Sequence, residues 1–193
     1  TDAGCQVGLF EIGMEQSSHD RGASLDAIQP DARVWEGFNP RSEVLAVTRA
    51  AGVTQVLLHP DLDRLVPGQA GLMRTVGRTR AEALLQAPSA LVIGLGRSGA
   101  GGGGPTSRVG ISMKLRELFF EHRVEDEGDP PRGRGRRKQT DEAAGKDRTP
   151  AEAVLHRVLR GEQKVLFKAE RADDCLLACA LAEEHGLDAA LLD

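Results

Sequence analysis

Thr149-Pro-Ala-Glu-Ala-Val-Leu-His-Arg-Val-Leu-Arg-Gly161, followed by Glu162-Gln-Lys-Val-Leu-Phe-Lys-Ala-Glu170, is the stretch that decides the fold. Thr149 with Glu152 makes a capping-box pattern, and Pro150 sits where a helix tolerates proline best. Val154, Leu155, Val158 and Leu159 then recur at helical spacing until Gly161 stops the helix. Lys164 to Glu170 reads as a strand. Asp173 to His185 reads as an amphipathic helix ended by Gly186, and Leu187 to Leu192 begins another strand. Helix, strand, helix, strand implies an α/β fold, a parallel sheet joined by crossover helices.

The same alternation extends toward the N-terminus. Cys5 to Gly13 reads as a strand running into a loop. Asn39-Pro40 starts a helix that runs to about Ala51, and Gly52 ends it. Val53-Thr-Gln-Val-Leu-Leu58 is a compact β-type run closed by His59-Pro60. Residues 61 to 79 read as an extended functional loop with a helical turn. Ala81 to Gln86 reads as helix, Ala90 to Gly94 as a buried strand, and Met113 to Arg123 as a helix. Gly99 to Gly104 holds five glycines and one alanine, so 97–107 is expected to be flexible. Acidic then basic residues, broken by Pro and Gly, make 125–148 an expected disordered insert.

Composition narrows the function. The 193 residues suit one domain, 1–193, and fall short of the roughly 250 that a complete (β/α)8 barrel needs. A formal charge of −4 and only 3% aromatic residues, with no Tyr, give no case for a nucleic-acid partner. No apolar run approaches the roughly 20 residues that span a bilayer, so no membrane partner is expected, and no signal peptide is visible. Cys175 and Cys179 share a helix face, but no further Cys or His completes a zinc spacing, so they read as core residues. His19, His122, His156 and His185 read as solvated or capping residues.

Gly94-Leu-Gly96-Arg-Ser-Gly99 matches a dinucleotide fingerprint and follows a strand. The context opposes it. The third glycine must open a helix, yet Ala100 to Pro105 is among the poorest helix starts available. A glycine loop at the sheet edge is the better reading, with nucleotide binding by the Gly94 loop a weak alternative.

Four segments together resemble the amidohydrolase superfamily, in particular its imidazolonepropionase-like metal-dependent hydrolases. Asp2-Ala3-Gly4-Cys5-Gln6-Val7-Gly8-Leu9 is similar to the first barrel strand with its D-A-H-x-H element. Arg49-Ala-Ala-Gly-Val-Thr-Gln-Val56 resembles the A-G-V-T-x-V strand, and Leu65-Val-Pro-Gly-Gln-Ala70 the G-G-Q loop. Leu159-Arg-Gly-Glu162 with Val165 to Asp174 resembles L-R-G-E followed by V-H-A-H-R-A-D-D. The resemblance implies part of a TIM-like (β/α)8 barrel. It implies hydrolysis of C–N bonds, non-peptide or cyclic amides, in a small-molecule substrate. It also implies a divalent metal of the zinc type, which acidifies water and polarises a carbonyl.

The chain departs from that pattern at the ligands. Gly4 and Gln6 stand at the first-strand histidine positions, and Lys168 and Glu170 at the later pair. No complete metal site, and so no cofactor, is expected in this chain. Lys168 and Glu170, two apart on a strand, should point the same way and form a metal-free pocket. They are the candidate catalytic residues, with Glu170 as a metal carboxylate or general base the lesser option. His59 at the barrel mouth and Gln69, able to donate to a substrate carbonyl or to brace its loop, are the candidate substrate-binding residues. The chain is thus expected to be inactive or incomplete by itself. The alternative is a non-catalytic binding or scaffold module of the same fold. An incomplete barrel leaves an open sheet edge, so association with itself or with a missing C-terminal portion is expected.

Overall fold

A computed structural model describes residues 1–13, 15–23, 26–100, 103–123 and 148–192. Six strands form one sheet in sequence order: β1 (Asp2–Cys5), β2 (Gln55–Leu58), β3 (Gly68–Arg74), β4 (Leu84–Gly94), β5 (Lys164–Lys168) and β6 (Ala189–Leu192). The helices are α1 (Glu43–Ala50), α2 (Arg80–Ala83), α3 (Arg108–Glu121), α4 (Pro150–Leu159) and α5 (Ala172–His185). The expected capping box is present at α4. Glu152 N–H donates to Thr149 Oγ1, and Thr149 N–H donates to Glu152 Oε2 at 2.8 Å. Gly186 closes α5 at φ +65°.

The sheet is not uniformly parallel. β1–β2, β4–β5 and β5–β6 pair parallel, but β3 runs antiparallel to both its neighbours. Residues 68 to 74 are therefore a strand inside the stretch expected as a loop. Gly68, Gly71 and Gln69 are poor strand formers in isolation, and pairing on both sides overrides that preference. The helix expected at 81–86 is one turn, after which β4 begins. Pro88 falls where the β3–β4 register is irregular and before β5 pairs at Ala90, so its missing N–H breaks no regular ladder bond. β1 occupies Asp2–Cys5 rather than starting at Cys5, and α3 begins at Arg108, where Ser107 caps it.

Two cores lie on the helix side of the sheet. Leu91, Ile93, Val165 and Phe167 pack against Ile111, Leu115 and Phe119 of α3, Val154 and Val158 of α4 and Leu181 of α5. Val56, Leu58 and Met73 pack against Leu45 of α1 and against Val34 and Phe38 around a 3-10 turn at Val34–Gly37. The other face is concave. A Cβ on Gly4 of β1 would lie 2.5 Å from Leu192 Cδ1 of β6, so the sheet's two edge strands approach each other. The architecture is a mixed α/β fold with a six-strand sheet curled into a half-barrel.

The expected insert at 125–148 lies outside the described residues except for Arg148, and residues 101 and 102 of the glycine loop do too. Ser98–Ala100 form a 3-10 turn, and Gly99 is buried against the Gly94 carbonyl with no room for a Cβ. The fingerprint glycines open no helix, since α3 starts only at Arg108.

Candidate functional site

Alternation decides which side chains enter the concave face. Val56 and Leu58 of β2 are in the helix-side core, so His59 continues the other parity. On β5, Val165 and Phe167 face the helices, so Leu166 and Lys168 face inward. Leu192 is the register partner of Lys168 and shares its side. Cys5 packs with the helix-side core, which leaves Gly4 inward. Gly4, His59, Lys168 and Leu192 thereby converge at the C-terminal ends of the co-directional strands, the end where barrel enzymes carry their sites.

The His59 ring is buried, and its Nδ1 lies 2.8 Å from the Pro60 carbonyl oxygen. A carbonyl only accepts, so Nδ1 carries the proton and Nε2 is left as the acceptor. Burial is the largest cause that holds this imidazole below its ordinary pKa, and the Lys168 charge adds to it. The Pro60 carbonyl, Asp61 and Asp2 act the other way. His59 is thus a neutral base beside a cation at ordinary pH.

Gln6 reaches a second group. Arg21 Nη1 donates to Gln6 Oε1 at 3.3 Å, Nη2 sits 3.4 Å from Asp61 Oδ2, and the guanidinium carbon lies 4.8 Å from the centre of the Phe10 ring. The Gln6 amide oxygen is therefore held by the Arg21 guanidinium.

β5 ends at Lys168, so Glu170 lies past the ladder. It is exposed, and its charge acts on Arg108 at the start of α3. Arg108 in turn makes a two-pronged bond to Asp174, Nε to Oδ1 at 2.7 Å and Nη2 to Oδ2 at 3.1 Å. Asp174 is only 1% exposed and packs against Gly96.

Gln69 goes elsewhere. It shares parity with Gly71, which lies under the Trp35 ring, and its Oε1 accepts from Gln163 Nε2 at 3.2 Å on the helix side. The structure therefore brings His59 and Lys168 together, puts Glu170 at the same end, and separates Gln69 from all three. Arg21, Asp61, Asp174 and Leu192 escape sequence reasoning because each meets its partner across long gaps in sequence. The one sequence signal was the glycine at 96, which leaves room for Asp174.

A divalent metal of the zinc type does not suit these residues. Gly4 offers no donor and Leu192 fills the space a side chain there would take. Lys168 brings a positive charge, and the Gln6 oxygen already serves Arg21. Among the described residues no group of three His, Cys, Asp or Glu comes together closely enough to hold a metal. No helix among them is long and apolar enough to cross a membrane.

No protein-family model matches the sequence, and no curated protein does either. A solved amidohydrolase from Thermotoga maritima matches 98% of this chain with a TM-score of 0.75 and 25% identity. The match covers 49% of that protein, so the chain spans about half its length. The chain has an amidohydrolase-like fold.

Proposed function

We propose that the chain is one half of an amidohydrolase-like hydrolase of C–N bonds in non-peptide or cyclic amides, and that this half shapes the substrate mouth without holding a metal. The observation that carries the reading is the convergence of Gly4, His59, Lys168 and Leu192 at one end of a half-barrel similar to that amidohydrolase. In that mouth Lys168 draws the oxygen of a substrate amide, and neutral His59 accepts a hydrogen bond at Nε2. Glu170 stands at the rim, where it can take up a proton. The chain alone performs little or no hydrolysis. Its edge strands β1 and β6 form no ladder with each other, and a second copy or a C-terminal portion of the same protein pairs there once Gly4 and Leu192 separate.

Metal analysis of the purified chain, with an assay on a panel of cyclic and N-acyl amides with and without added zinc, tests this. Sub-stoichiometric zinc and negligible turnover are expected. One tightly bound zinc per chain that is lost in Glu170→Gln would overturn it.

A second reading, a non-catalytic binding module of the same fold, is favoured by the Leu192 side chain standing where a ligand at position 4 would project. The flanking gene sequence separates the two. A later-strand His and Asp favour the hydrolase; their replacement favours the module.

A further inference from the structure

We infer that a second site lies at the opposite end of the sheet: a cleft of about 930 Å3 between Trp35 and α4 that takes the single carboxylate of a small planar organic acid. Its walls come from the beginnings of β4 and β5 and from the residues just before β5 and β6, the ends remote from the mouth. The inference does not depend on the hydrolase reading.

Two amide side chains that are almost fully buried, Gln69 and Gln163, line the cleft. Their orientation follows from one cation. Arg157 Nε can only donate, so the atom of Gln163 that it meets at 3.2 Å is the oxygen. Gln163 then turns its NH2 to Gln69, whose oxygen accepts at 3.2 Å. Gln69 is left presenting its own NH2 group. Among the described residues that nitrogen donates to no protein atom, and the Arg157 Nη groups have no carboxylate or carbonyl partner. The relay thus leaves donors at the cleft, some from an amide and some from a guanidinium, with no acceptor bonded to them among the described residues. A carboxylate offers two oxygens in the geometry a guanidinium fork favours.

The remaining charges set the class of ligand. Lys164 is already paired with Asp188 at 2.7 Å, and Arg33 with Glu36 at 3.4 Å. Asp31 and Glu162 are exposed carboxylates at the rim, which repel a second negative charge. The ligand therefore carries no more than the one negative charge that Arg157 can take up. Trp35 lies against Gly71, where a Cβ would come within 3.0 Å of its ring, and its remaining surface forms a flat apolar wall of the cleft. A planar body beside that wall completes the fit.

Trp35 is the chain's one tryptophan, so its fluorescence reports this cleft directly. Benzoate, benzamide and inorganic phosphate are titrated into the full chain. Benzoate is expected to give a saturable change, and benzamide and phosphate a much weaker one. Arg157→Gln, on a half-buried helix position, is expected to weaken benzoate about tenfold or more, and Arg157→Lys less so, with unchanged far-ultraviolet circular dichroism. Should Arg157→Gln misfold, Gln69→Leu serves in its place. No saturable response, equal responses to benzoate and benzamide, or equal binding by phosphate would each overturn the inference. So would benzoate affinity untouched in a folded Arg157→Gln chain.

Discussion

Arg108 and Asp174 form a fork-to-fork pair in which the carboxylate is buried and the guanidinium is half exposed. The pair ties the first turn of α3 to the first turn of α5, and Gly96 of the loop after β4 lies against the same carboxylate. The asymmetry of burial makes the two partners unequal. Removing Arg108 strands a buried negative charge, whereas removing Asp174 leaves a cation that can turn to water. Arg108→Met is therefore expected to unfold at lower urea than Asp174→Asn. Urea curves check this, and equal midpoints for the two variants would refute the asymmetry.

Gly96→Ala should be disproportionately damaging for so small a change. The residue sits at φ +62°, where a non-glycine residue costs about 1–2 kcal/mol, and the new methyl would collide with the Asp174 carboxylate. A loss above about 2 kcal/mol in equilibrium unfolding is expected, since the clash adds to the backbone cost. In the Asp174→Ala background part of that loss should be recovered.

The closeness of Gly4 and Leu192 can be measured as a coupling. Gly4→Ala alone should destabilise because the added methyl meets Leu192 Cδ1. Leu192→Ala alone should cost about 2 kcal/mol by truncating a largely buried side chain. Together they should cost less than their sum by about 1 kcal/mol. Strict additivity would mean that the edges of the sheet do not approach in solution.

Stability should depend on pH in a definite direction. His59, His156 and His185 all titrate below the ordinary imidazole value, with burial the largest cause in each case. The unfolded chain then binds more protons than the folded one once pH falls below about 6.5. The contribution of the neutral rings is complete above that value and is lost as pH falls through the window below it. The urea midpoint is expected to be flat above about pH 7.5 and to drop toward about pH 5.5, and His59→Gln should reduce the slope.

Much of this fold was readable from local chemistry. The α4 cap, the β5 run and the Gly186 stop each depend on residues within one turn of each other, and each appears where expected. The reversal of β3 was not readable. Gly68 to Arg74 has neither β-branched residues nor clean alternation, and it is a strand because Leu58 and Val92 offer ladders on either side. The candidate site divides in the same way. The parity that aims Lys168 inward follows from one strand's own pattern, whereas its proximity to His59 arises only when the sheet curls. The extension of that parity to Glu170 meets the end of the ladder at Lys168, one residue before the peptide that would have carried it on. Gln69 is singled out by its likeness to a G-G-Q loop and His59 by its place at the end of a strand, and neither pattern shows which way a strand runs. Gln69 lies on a strand that runs against the others, and its amide is taken up by Gln163. Arg21 carries no motif at all, and its link to Gln6 and Asp61 emerges only when a polar loop folds back across the strand ends.

The backward-running β3 has a consequence for how the molecule is assembled. Strands β2, β3 and β4 follow one another through short connections, so their pairing requires closing only small loops. β1 and β5, by contrast, reach their neighbours across long intervening segments. As the nascent polypeptide leaves the ribosome, residues 55 to 94 can zip into a meander before any later helix exists. Its exposed ladders at Gln55–Leu58 and Ala90–Gly94 then serve as templates for the flanking strands. The reversed direction of β3 thereby makes residues 55 to 94 the stretch of the sheet with the most local pairing.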